Sequence, residues 1–134
     1  MGTATLAHEG AMGIVKERMD GMKAIGAAVK SIAPMMTGKA DFDVSLAEEA
    51  AAKIIEHSGQ NMIDRFPEGS LDQPSEASPL IWEDPEGFAT IALELETLAG
   101  TISDETLDAD ARASLFQKIG ATCKSCHQGY RVRR

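Results

Sequence analysis

Residues 108–134 read DADARASLFQKIGATCKSCHQGYRVRR, and the fold turns on whether this stretch is a helix. Leu115, Ile119, Cys126 and Tyr130 recur at helical spacing, which predicts a helix from about Asp108 into the C-terminal motif. That helix carries the only two cysteines, Cys123 and Cys126, with His127 directly after them. A cysteine pair on a helix, rather than in a turn, narrows what the pair can do.

Toward the N-terminus the same periodicity gives three more helices. Val15, Met19, Met22, Ile25, Val29 and Ile32 step by three or four residues. They predict a first helix from about Glu9 to Ala33, ended by Pro34, which cannot continue the hydrogen-bond ladder. A second starts at Ser45, with Glu48 completing a capping box. It presents Leu46, Ala50, Ile54, Met62 and Phe66 and stops at Pro67. A third begins at Asp84-Pro85-Glu86, a cap residue followed by proline in the first turn, and carries the stripe Phe88, Ile91, Leu95, Leu98 and Ile102. Strand alternation does not recur. The proline-rich stretch PEGSLDQPSEASPLIWED, residues 67–84, is too long for a tight connection and is expected to run over the surface, with Trp82 tucked back.

Helices of roughly 20 residues are about 30 Å long. Four one-sided helices bury their stripes most simply against one another, so the expected fold is all-α, an antiparallel four-helix bundle. The 134 residues suffice for a single domain, 1–134, with a real core. A net charge of -8 argues against a general nucleic-acid binder. No apolar run is long enough to cross a membrane. Thr5-x-Ala7 fits the small-residue rule of a leader cleavage site, so residues 1–7 are read as a possible leader remnant, with Met1-Gly2 left from cloning.

The cysteine pair admits three readings. A redox dithiol normally accompanies a βαβ pattern, which is absent here. A structural zinc site needs four ligands. Cys123, Cys126 and His127 could supply two or three, with His8 or His57 added, but no second closely spaced ligand pair exists. A covalent haem needs Cys-x-x-Cys-His as a unit: each thiol adds to a vinyl group, and the adjacent histidine becomes the proximal iron ligand. On a helix Cys123 and His127 share a face and Cys126 lies one turn after Cys123, so all three can address one macrocycle. This reading is complete within the motif and needs no ligand from elsewhere to define it; the other two stay open as alternatives. A macrocycle would also fill a bundle whose side chains are mostly small, since aromatic residues make up only 4% of the chain.

CKSCHQGYR (123–131), KERMDGMKAIGAAVKSIAPMMTGKADFD (16–43), FPEGS (66–70) and LIWEDPEGF (80–88) together resemble the class II c-type cytochromes, the cytochrome c prime family, over nearly the whole chain. The resemblance implies a four-helix bundle with one haem c, attached through Cys123 and Cys126, and with His127 as the proximal ligand. It places Arg131 near the proximal haem face, Arg18 near a haem propionate, and Trp82 as a packing residue before the third helix. It also implies the periplasm and, often, a homodimer through the first two helices. In the family, the residue four after the first-helix arginine decides the sixth position. An apolar residue there leaves a five-coordinate iron, whereas methionine binds it. The chain has Met22 there, with Met19 as the backup.

The bland reading of Met22 is core packing on the stripe with Val15, Ile25 and Val29. The resemblance favours ligation, in the low-spin methionine branch, and so an electron carrier with His127 and Met22 as axial ligands. The alternative is a five-coordinate haem that binds NO or CO. Gly21 and Gly26 could let the first helix approach the ring. His8 reads as an exposed terminal residue. His57 is expected at the bundle boundary, solvated and without a role. The acidic run from Glu83 to Asp110 reads as a solvated face. Lys124, Arg131, Arg133 and Arg134 could steer an acidic redox partner to the haem end. No acid, base and nucleophile constellation suggests an enzyme.

Overall fold

The computed structural model describes residues 13–71 and 75–132. It contains helices α1 (Gly13–Met36), α2 (Val44–Glu56), α3 (Gly59–Ile63), α4 (Leu80–Glu83), α5 (Pro85–Ala99) and α6 (Ala109–Tyr130). The four long ones form an antiparallel bundle: α1 packs on α2 and α6, and α5 packs on the same two. Ile32, Ile54, Ile102 and Ile119 are fully buried at its centre, and no described helix is long and apolar enough to cross a membrane.

Two expected boundaries move. α1 runs through Pro34 to Met36. Pro34 is exposed and close to the helix end, so few ladder bonds are at stake. Met35 and Met36, 6% and 1% exposed, hold the last turn by burial. Gly38, at φ 83, then turns the chain away. The expected start at Glu9 lies outside the described residues. α2 is capped by Asp43, whose carboxylate accepts from Leu46 N at 3.2 Å, rather than by Ser45.

The second predicted helix is in fact two. α2 ends at Glu56, and α3 restarts at Gly59 with φ 59. The apolar repeat carries on across the break through Ile54, Met62 and Phe66, which is why periodicity alone misses it. A side chain on Gly59 would collide with the Glu96 carboxylate. Glycine therefore lets α3 lie against α5 at this corner. α5 and α6 begin as expected, on the Asp84 and Asp108 carboxylates, although α5 stops at Ala99, short of Ile102.

The proline-rich connection does not simply cross the surface. Ser75 and Ala77 are buried. Ala77 forms an antiparallel bridge with Arg131. Ser78 N donates to Tyr130 O at 3.0 Å and Val132 N to Glu76 O at 2.7 Å. Backbone donors buried with the loop are thus satisfied by the chain leaving α6, and the loop becomes a wall beside the cysteine motif. Trp82 is half-buried, as expected, and donates its indole N–H to Phe66 O at 2.8 Å.

Candidate functional site

Cys126 and His127 of α6 line a cavity of about 610 Å³, and α1 contributes Arg18, Met19, Met22 and Lys23 to the same wall. A second cavity of about 190 Å³ is lined by Cys123, Cys126 and His127 together with Met22, Ile25 and Gly26. Met22, Cys126 and His127 belong to both walls. The motif's three reactive residues and the candidate first-helix methionine, about a hundred residues apart in sequence, therefore face one shared space. Its scale is that of a site for a bulky cofactor.

The rest of the larger wall is mainly apolar. Phe66, Ile81 and Phe88 line it, with Phe88 edge-on to both Phe66 (centroids 5.0 Å apart) and Tyr130 (5.5 Å). Tyr130 donates its hydroxyl to Asp84 Oδ2 at 2.9 Å, tying the C-terminus of α6 to the start of α5. The carboxylate that caps α5 therefore also fixes the last turn of the motif helix.

Arg18 is on the wall but its guanidinium turns into the protein, 6% exposed. It donates to Arg65 O (3.1 Å), Ser70 Oγ (2.6 Å), Ser70 O (2.5 Å) and Ser75 Oγ (2.8 Å), and lies over the Phe66 ring at 4.3 Å. Its visible work is to tie Arg65, Ser70 and Ser75 to α1. Arg131 lines the cavity beside His127 and donates Nε to Glu76 Oε1 at 2.7 Å. Glu76, Ser75, Ala77 and, from α1, Lys23 also line it; sequence reasoning missed the first three because a loop expected at the surface carries no periodic signal, and Lys23 because it stands off the apolar stripe. Trp82 lines neither cavity. It braces Phe66 from behind, in keeping with a packing residue.

The two glycines flanking Met22 differ. Gly26 lines the smaller cavity, and a Cβ there would meet nothing within 4 Å, so it thins the helix on the site side as expected. Gly21 lines neither cavity and is instead buried against Arg65 and His57. His57 is correspondingly not solvated: its side chain is 15% exposed and its Nδ1 lies 2.8 Å from Arg65 Nη1. The α2–α3 break folds it inward. His8, Arg133 and Arg134 lie outside the described residues.

Burial pushes both thiols up, Cys126 to about 11 with a further contribution from the charge of Cys123. Reactive redox cysteines show the opposite shift, so the dithiol reading loses its chemistry. Burial also lowers His127, helped by the Arg131 charge and opposed by Glu76. The imidazole is thereby kept neutral, the form that binds a metal. Among the described residues no three His, Cys, Asp or Glu side chains come together as a cation cage. The residues do fit a haem: an apolar space, two protonated thiols on its wall, and a neutral imidazole beside them.

Fold and donor set together define a class: helical-bundle proteins that carry haem on a C-terminal Cys-x-x-Cys-His helix. The family model described as Cytochrome C' matches residues 13–131, and the chain belongs to that family. It is a mono-haem c-type cytochrome, with one haem c attached through Cys123 and Cys126. Cytochrome c-556 of Agrobacterium fabrum is 34% identical over 125 residues, 92% of this chain and 84% of the relative. Cytochrome c' of Rhodopseudomonas palustris is 33% identical over 129 residues, 90% and 83% respectively. A solved structure of cytochrome c' from Rhodopseudomonas palustris superimposes with a TM-score of 0.79 at 27% identity, covering 92% of this chain and 99% of that one.

Proposed function

We propose that this cytochrome is a periplasmic electron carrier in which His127 of α6 and Met22 of α1 are the axial ligands of the haem iron. One observation carries the reading: Met22 lines both cavities that His127 lines, whereas Met19 lines only the larger. A neutral imidazole and a thioether from two separately anchored helices give a ligand pair that needs little rearrangement on redox change. When bound, the haem supplies a one-electron couple. The protein's part is to hold the ring, exclude water with Phe66, Ile81 and Phe88, and set the local charge with Arg131 and Glu76. Arg18 acts here by fixing the wall segment, and Trp82 by bracing Phe66. The periplasm follows from the family and from the attachment chemistry, and an acidic redox partner from the basic residues around the motif.

A second reading, a five-coordinate haem that takes up NO or CO, is supported by the size of the larger cavity and its apolar lining around Phe66 and Phe88. Absorption spectra of the holoprotein separate the two. On the first reading the ferric protein is low-spin, Met22→Ala converts it to high-spin, and ferrous CO binding accelerates. A high-spin wild-type spectrum, or one that Met22→Ala leaves unchanged, rules out ligation by Met22.

A further inference from the structure

We propose that Arg65 and His57 are positioning residues that set how firmly Met22 is presented to the site, an inference that rests on Met22 being an axial ligand. Gly21 immediately precedes Met22, is buried, and lines neither cavity. A methyl placed on it would stand 2.9 Å from Arg65 Nη1 and 3.1 Å from His57 Nδ1. No side chain therefore separates α1 from this pair, and the helix backbone rests directly on it. The turn that carries Met19 and Met22 is held between the cavity on one side and Arg65 with His57 on the other.

The support is itself fixed. Arg65 Nη1 lies 2.8 Å from His57 Nδ1. A guanidinium only donates, so in this pair Nδ1 is the acceptor and Nε2 faces away from Arg65. That nitrogen lies 3.7 Å from Glu56 Oε2. Arg65 Nε lies 3.6 Å from Glu17 Oε1, and Arg65 O accepts from Arg18. Glu17, Arg18 and Gly21 on α1 thus all engage Arg65. Its side chain is 19% exposed and that of His57 15%. Covering a guanidinium is costly unless its partners are in place, and here they hold a rigid planar group flat against the helix that carries the ligand. Glycine at 21 is what admits it. Removing this support frees the turn to settle away from the cavity, which raises the fraction of molecules whose sixth position is open.

The test uses the holoprotein and two readouts: the low-spin fraction of the ferric spectrum and the rate of CO association with the ferrous form, which scales with the open fraction. Arg65→Ala and His57→Leu should each lower the low-spin fraction and speed CO binding by roughly tenfold. His57→Asn, which keeps an acceptor for Arg65, should restore most of the wild-type behaviour. Gly21→Ala should act in the same direction by displacing the guanidinium end. Alanine is the better helix former, so that gain in CO access cannot come from a weakened helix, and the variant stays informative if Arg65→Ala does not fold. Leu115→Ala, a core deletion elsewhere, should lower stability but leave the CO rate unchanged. Wild-type rates in Arg65→Ala and Gly21→Ala, with Met22→Ala still fast and high-spin, would overturn the positioning role and leave ligation standing. An unchanged Met22→Ala spectrum would overturn both.

Discussion

Replacing Arg18 with methionine should be among the most damaging single changes outside the haem motif, and its size can be worked from the contacts. Arg18 is 6% exposed and, among the described residues, donates to the main-chain carbonyls of Arg65 and Ser70 and to the hydroxyls of Ser70 and Ser75. Its carbon stem and guanidinium also cover Phe66. Hydrogen bonds from a charged donor contribute about 1.5–3 kcal/mol each, and a buried acceptor left unpaired costs about 1–3 kcal/mol. Methionine recovers the contact with Phe66, and the two hydroxyls can re-pair locally. The two part-buried carbonyls lose a charged donor that water replaces only in part, so the net loss should be about 3–5 kcal/mol. For a chain of this length that is a fall in Tm of roughly 10–20 °C.

The covalent haem stays with the unfolded chain, so guanidinium chloride unfolding of the holoprotein, followed by far-UV circular dichroism and by the Soret band, reads this loss directly. Arg65, Ser70 and Ser75 are tied to α1 through Arg18, so the Soret transition should precede the helical one in Arg18→Met. Arg18→Lys should recover only part of the loss, because one ammonium cannot reach both Arg65 O and Ser75 Oγ in the geometry of a planar fork. A loss below about 1 kcal/mol in Arg18→Met would refute the reasoning, since that is the range of an ordinary solvated surface residue.

Two further outcomes follow from the site's charges. Glu76→Gln removes the negative partner of Arg131 beside His127, so potentiometric titration should give a higher reduction potential. The rise should shrink with added salt, because both side chains are partly exposed. Tyr130 is the only tyrosine, and its pKa is raised above the ordinary value of 10 by burial and by the Asp84 carboxylate that accepts its hydroxyl. The neutral form is favoured in the folded state, so this contribution to stability is complete below pH 10 and is lost as pH rises through the folded-state value. Absorbance titration near 295 nm against a Tyr130→Phe blank should show the shift, and Asp84→Asn, which can still cap α5, should bring the midpoint back toward 10.

The sequence made the motif legible because its chemistry is local: Cys123, Cys126 and His127 sit within five residues on one helix, and the haem anchor they form needs no residue from elsewhere. That Met22 would line the site was legible through its spacing from Arg18 and the resemblance that gives that spacing meaning. The helix stripes were equally readable, since Ile32, Ile54 and Ile119 had to face inward. What escaped was everything decided by how one segment lies against another. The break after Glu56 depends on Gly59 meeting Glu96, two residues with no periodic relation. Ser75, Glu76 and Ala77 reach the site only because their backbone pairs with Tyr130 and Val132. Gly21 looked like room for the ring, and His57 like a solvated bystander. They are in contact only once α2 has ended early.

The basic C-terminus also changes meaning once Glu76 is beside it. As a sequence, Lys124 and Arg131 read as members of one positive rim around the haem end. In the structure Arg131 is engaged by Glu76 and by the bridge to Ala77, so its charge is locally compensated and its role is to close the loop onto α6. Lys23, from α1, stands on the cavity wall instead. Basic side chains near the site therefore come from two helices, one bearing each proposed axial ligand. An acidic partner drawn by them would approach where α1 and α6 meet around the haem. It would also approach next to the turn proposed to rest on Arg65 and His57, so α1 would share in recognition as well as present Met22.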